Sequence, residues 1–234
     1  MKSEVSNPMY TTFSKQYSLV VKDNIYNAML ERPTTLSLLS IKPGDKVLDL
    51  GCGSGEYAKE IQSQGGIMTC IDLSSEMIEL TKSNAHPFKA YSQDLSIGLP
   101  NEADSSFDWV IAPLIIHYIE DLKPLFSEVS RVLKPDGHFV FSTHHPINDY
   151  SISPSGNYFA LERITESWDT IGEPVQVSFY RRSLQDLFSA IQQAKMTVCE
   201  LSEGKPLPDI AKIDQGVYER LITEPSFIFM KCGS

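Results

Sequence analysis

Apolar positions along the chain fall into two regimes: short runs that are almost unbroken, and stretches where they recur every three or four residues. The runs at 47–50, 67–71, 88–92, 107–112 and 138–143 carry side chains suited to strands buried on both faces. Between them, 56–64 sets Tyr57, Ala58 and Ile61 at helical spacing, and 75–84 follows an N-cap at Ser74. The segment after Asp121 gathers Leu122, Leu125, Phe126, Val129 and Leu133 on one helical face. Gly65-Gly66 and Lys134-Pro135-Asp136-Gly137 stop two of these helices. The repeated order strand, helix, strand predicts an α/β fold, a doubly wound parallel sheet with helices on both faces.

The flanking parts follow other patterns. Residues 1–40 are rich in Tyr, Ser, Thr and Asn and weakly helical; 24–31 reads as one helix, and Pro33 suits the first turn of a second at 34–39. From 148 to 182 the period changes to two, with Val175, Val177 and Phe179 alternating with polar residues. This predicts a β-hairpin with arms 159–168 and 175–181 around a turn at 169–174. Ser183 and Asp186 form an acidic capping box before a helix carrying Leu184, Leu187, Phe188 and Ile191, and 197–201 and 226–232 read as the last strands. A chain of this length buries one full core, so one domain over 1–234 is expected: a cap (1–40), a core (41–147), the hairpin insertion (148–182) and a C-terminal edge (183–234).

The run VLDLGCGSGEY, 47–57, joins a strand, a glycine loop and a helix start. Gly51, Cys52 and Gly53 let backbone approach a ligand closely. A dinucleotide fingerprint needs its third glycine one residue later, and here Glu56 stands at the helix N-terminus, where it would repel a pyrophosphate. Asp49 adds a second carboxylate beside the loop, which favours a ligand carrying positive charge. Asp72 ends the second strand, 21 residues after Gly51, placed to accept hydrogen bonds from ribose hydroxyls, with Leu73 and Met77 as an apolar slot for a base.

VLDLGCGSG resembles the first motif of the class I S-adenosylmethionine-dependent methyltransferases. Ser142-Thr143-His144-His145-Pro146 is similar to the S-x-H-H-P segment after the fifth strand in one group of small bacterial members, and pieces such as Glu31-Arg32-Pro33, Glu166-Ser167-Trp168 and Arg181-Arg182-Ser183-Leu184 extend the likeness over nearly the whole chain. The resemblance implies a Rossmann-like, mostly parallel seven-stranded sheet whose last two strands form an antiparallel edge. It implies S-adenosylmethionine as cofactor, S-adenosylhomocysteine as product, and Asp94, followed by Leu95, at the adenine. The acceptor is not implied. A lid made by the N-terminal cap would bring Tyr26 or Arg32 over the cofactor.

Composition narrows the acceptor. Thirty acidic against 20 basic residues give a formal net charge of -10, which disfavours nucleic acid and anionic membranes and leaves a small molecule as the default. No apolar run approaches the roughly 18 residues that span a bilayer, and the four cysteines have no metal-type spacing, so buried thiols in a cytoplasmic protein, monomeric or homodimeric, are expected. The histidines lack metal-site spacing and no metal is expected. His117, His144 and His145 follow strand carboxyl ends, where ligands of open α/β sheets sit, and are the candidate bases. Tyr158, Trp168 and Tyr180 are expected as walls of the acceptor pocket, with Arg181 or Arg182 holding an anionic group. The alternative function is a non-catalytic S-adenosylmethionine-binding subunit or regulator.

Overall fold

The computed structural model describes residues 7–233. Of the expected cap, 1–6 lies outside these residues. The sheet is built from β1 (Lys46–Leu50), β2 (Ile67–Asp72), β3 (Lys89–Ser92), β4 (Phe107–Pro113) and β5 (Leu133–His144), with β6 (Glu162–Trp168) and β7 (Val175–Arg181) forming a separate antiparallel ribbon and β8 (Thr197–Ser202) and β9 (Phe227–Gly233) closing one edge. Strand order is β3-β2-β1-β4-β5-β9-β8; the first five are parallel and the last two antiparallel. This is the Rossmann-like seven-stranded sheet that was expected.

Alternation explains why β1 is buried on both sides. Leu48 and Leu50 enter a core layer with Phe126, Val129, Leu187 and Ile191, while Val47 enters the opposite layer with Tyr57, Ala58, Ile61 and Leu30. The first layer is covered by α5 (Leu122–Val132) and α7 (Leu184–Gln193), the second by α3 (Glu56–Ser63) and α4 (Ser75–Ala85) together with α2 (Arg32–Ser37), α8 (Ile210–Ile213) and α9 (Gln215–Leu221); α1 (Ser14–Val20) belongs to the N-terminal segment. Local signals hold: Ser74 accepts from the Met77 N–H, and Ser183 and Asp186 form the capping box. Gly65 stands at φ +92° just beyond α3.

Several boundaries differ from expectation for physical reasons. The two expected cap helices are one helical stretch with a π turn at Asn27–Glu31 running straight into α2. Pro33 lacks an N–H and crowds the carbonyl four residues back, and a widened turn relieves both. The first hairpin arm begins at Glu162, not at 159, because the Glu162 carboxylate is engaged by Ser153, Ser155 and Arg181, which hold the preceding residues as a loop. Three cysteines are buried, but Cys199 is exposed where the β8 register shifts between Val198 and Glu200.

Candidate active site

The carboxyl ends of β1, β2, β4 and β5 open into one cavity of about 920 Å³, roofed by the N-terminal segment and by the end of the hairpin around Trp168. On its cofactor side the chain leaves β1 through Gly51, Gly53 and Gly55, at φ +74°, +53° and +87°. A Cβ on Gly51 would stand 2.6 Å from Ile115, so packing as well as conformation demands glycine there. A Cβ on Gly53 would meet no atom within 4 Å; Gly53 faces the space a ligand needs.

Asp72 Oδ2 accepts from the Gly53 N–H at 2.9 Å and Oδ1 from the Ser74 N–H at 2.9 Å. One carboxylate thus ties the glycine loop to the second strand while lining the cavity, with Leu73 and Met77 beside it. Burial raises the Asp72 carboxyl above its usual range, against those two N–H groups. Asp49 lies beneath the loop, wholly buried and outside the cavity's lining, and neither of its oxygens has a hydrogen-bond partner among the described residues. Burial first, then Asp72 and Glu31, push it up to about 8. A buried carboxyl left unsatisfied is costly unless a cation or donor arrives.

Glu31 completes an acidic group of three. It accepts from Tyr57 at 2.7 Å, from Ser142 at 2.6 Å and from Thr35 at 2.8 Å, and it too is raised by burial. The sequence marked Glu31 only as part of the Glu31-Arg32-Pro33 likeness and not as a site residue, because Tyr57 and Ser142 reach it from distant elements. Arg32, next along, lines the cavity with its guanidinium donating to the Val21 and Lys22 carbonyls, and Tyr26 accepts from Arg220 at 2.8 Å. Asp94 and Leu95 stand apart: Asp94 accepts from the Ser96 N–H at 2.8 Å, and Leu95 is packed in the core. Neither lines the cavity.

On the acceptor side Leu114 holds φ +50°, uncommon for a branched residue, with its N–H on Ser142. His117 and His144 both line the cavity with rings stacked, centroids 4.1 Å apart and 19° between planes. His117 is buried, with Nδ1 3.2 Å from the Thr143 hydroxyl; burial, His144 and Arg182 hold it well below the usual imidazole range and therefore neutral. His144 Nδ1 lies 3.5 Å from Asp149 Oδ1. Asp149, on α6 (Pro146–Tyr150), escaped the sequence reading, although its place five residues after His144 was a usable signal.

The remaining expectations separate. His145 does not line the cavity: it caps α6 through the Ile147 N–H and faces Glu203 at 3.1 Å. Arg181 and Arg182 are buried away from it, Arg181 on Glu162 and the Asn157 and Tyr158 carbonyls, Arg182 on the Ile119 carbonyl. This corrects their expected role in holding an anionic acceptor: long cationic side chains on the hairpin's last residues satisfy loop carbonyls first. Tyr158 and Tyr180 turn to Leu184 and Glu120, so of the three expected walls Trp168 alone reaches the cavity, joined by Tyr10, Tyr17 and Tyr118.

This geometry meets independent comparisons. A family model described as a methyltransferase domain matches residues 48–141. The solved S-adenosylmethionine-dependent methyltransferase from Mesorhizobium loti superposes with a TM-score of 0.68 at 25% identity, covering 87% of this chain and 97% of that one. Residues 48–141 match a methyltransferase domain, and the chain has the fold of the class I S-adenosylmethionine-dependent enzymes. An uncharacterized methyltransferase of Synechocystis is 29% identical over 206 residues, 81% of this chain and 88% of that protein. An uncharacterized protein of Haemophilus influenzae is 34% identical over 128 residues, 52% of this chain; the chain spans half the length of that relative.

The residues present fit the cofactor of such methyltransferases. The orphaned Asp49 carboxyl and its acidic neighbours suit a ligand with sulfonium and ammonium charges, and Gly53 leaves room for it. Among the described residues no helix is long and apolar enough to cross a membrane.

Proposed function

We propose that the protein transfers a methyl group from S-adenosylmethionine to a small-molecule acceptor held between His144 and the hairpin. The observation that carries this reading is the continuity of one cavity from Gly53, Asp72 and Arg32 to His117, His144 and Trp168. Asp72 would hold the ribose, Leu73 and Met77 the adenine, and Arg32 or Tyr26 would close over the methionine end. Bound there, S-adenosylmethionine supplies a methyl carbon activated by its sulfonium. The chain then has to align the nucleophile and exclude water.

For an acceptor that loses a proton, His144 is the base, with Asp149 at 3.5 Å to orient its ring. His117, kept neutral, stacks on that ring and fixes its plane. His145 is a positioning residue that holds α6 and thereby Asp149. The same reading takes the chain with the small bacterial methyltransferases whose fifth strand ends in S-x-H-H-P, because Ser142, His144 and His145 each have separate work.

The test uses purified protein, methyl-labelled S-adenosylmethionine and a metabolite extract. A labelled small product is expected, and it should fall about 100-fold in turnover with His144→Gln while S-adenosylhomocysteine affinity holds within about 0.5 kcal/mol. Cofactor binding without any labelled product from extract would favour a cofactor-binding regulator instead.

A further inference from the structure

We propose that the acceptor is an amine of aromatic size whose cationic group sits against Trp168 beside Glu166, and that phosphates and carboxylates are excluded; this rests on the methyl-transfer reading above.

The first ground is a broken pattern in the hairpin. On β6 the side chains of Ile164, Glu166 and Trp168 share one face, and in the ribbon Glu166 stands opposite Val177, which is wholly buried. Glu166 itself is half-buried, a carboxylate at the cavity wall in a row that otherwise carries Ile164 and Trp168. Its carboxylate accepts the Trp168 indole N–H at 3.3 Å, and no cation pairs with it among the described residues. Glu166 and Trp168 both line the cavity.

The second ground is the wall itself. The Trp168 ring lies 5.7 Å from His144, and Tyr118 lies 4.2 Å from His117. Aromatic faces next to a carboxylate attract cations. The proposed base thus stands beside an aromatic, acidic wall, a distance a small two-ended acceptor spans.

The third ground is what is missing from that wall. Arg32 and Arg220 are the cavity's arginines, Arg32 donating to backbone carbonyls and Arg220 to the Tyr26 hydroxyl, at the end of the cavity proposed for the cofactor. Arg181 and Arg182 point elsewhere. Asp149 and Asp169 add further negative charge to the lining. A phosphate or carboxylate placed beside Trp168 would meet the carboxylates of Glu166, Asp149 and Asp169 in the lining. The overall charge of -10 draws cations inward as well.

The test is titration calorimetry on protein saturated with S-adenosylhomocysteine, using tyramine and 4-hydroxyphenylacetate, which share a ring and differ in the sign of their charge. Tyramine should bind about tenfold or more tightly than the carboxylate, and more weakly as salt rises. The double variant Glu166→Gln, Asp169→Asn should bring the two within about twofold while S-adenosylhomocysteine affinity stays unchanged. Preference for the carboxylate, equal affinities, or no binding of either probe overturns the assignment, and the wild-type comparison decides it even if the variant fails to fold. Failure of S-adenosylhomocysteine to bind at all would instead sink the methyl-transfer reading.

Discussion

Asp72 holds the glycine loop and the start of α4 with one carboxylate, so replacing it removes a ligand contact and a loop anchor together. Asp72→Ala is expected to weaken S-adenosylhomocysteine binding by about 1.5–3 kcal/mol, the worth of hydrogen bonds to a charged group, in a protein that still folds. Calorimetry settles it, and unchanged affinity would remove Asp72 from the cofactor's contacts. This residue was legible in the sequence because its place at a strand end depends on local pattern. Glu31 was not: one of its donors, Ser142, lies 111 residues away, and no spacing rule reaches that far. Arg181 and Arg182 misled for a related reason. Apart from Glu162, which meets Arg181 across the hairpin, their partners are backbone carbonyls, which every residue has and no sequence displays.

At the scale of elements, the strands were readable wherever burial on both faces left apolar runs, and the hairpin wherever one face was buried. What joins elements was hidden. Asn7 clasps the hairpin as a further strand would: its Nδ2 donates to the Ser178 carbonyl at 3.1 Å and its Oδ1 accepts the Ser178 N–H at 2.8 Å. Met9 then packs with Val175 and Val177. One amide side chain therefore couples the N-terminal roof of the cavity to the hairpin roof. Asn7→Ala should cost about 1–3 kcal/mol of stability in urea titration, since two buried-edge hydrogen bonds go together. It should also raise the acceptor KM more than it lowers kcat. A variant that loses stability without any change in KM would show that the clasp holds the fold but not the pocket.

At the scale of the whole molecule, an acidic protein concentrates three raised carboxyls, Glu31, Asp49 and Asp72, near the end of the cavity proposed for the cofactor, whose sulfonium and ammonium outweigh its one carboxylate. Asp49 is pushed up to about 8, against about 3.9 in an unfolded chain. The folded protein without cofactor therefore binds the proton more tightly than the unfolded one does. Its contribution to stability is fully present below about pH 4 and is lost as pH rises toward 8. His117 works the other way in a lower window: its depressed pKa means stability is lost as pH falls through the ordinary imidazole range. The difference between wild type and Asp49→Asn isolates the Asp49 part, so the stability gap between them should widen in the variant's favour from pH 5 to pH 8. A cationic ligand reverses the preference by favouring the ionised carboxylate. S-adenosylmethionine affinity should then rise with pH up to about 8, with protons released on binding; calorimetry at pH 6.5 in two buffers of different ionisation enthalpy measures their number. Proton release that persists unchanged in Asp49→Asn would move the charge-sensing role to Asp72 or Glu31, and proton uptake by the wild type would contradict an acidic cradle for the cofactor altogether.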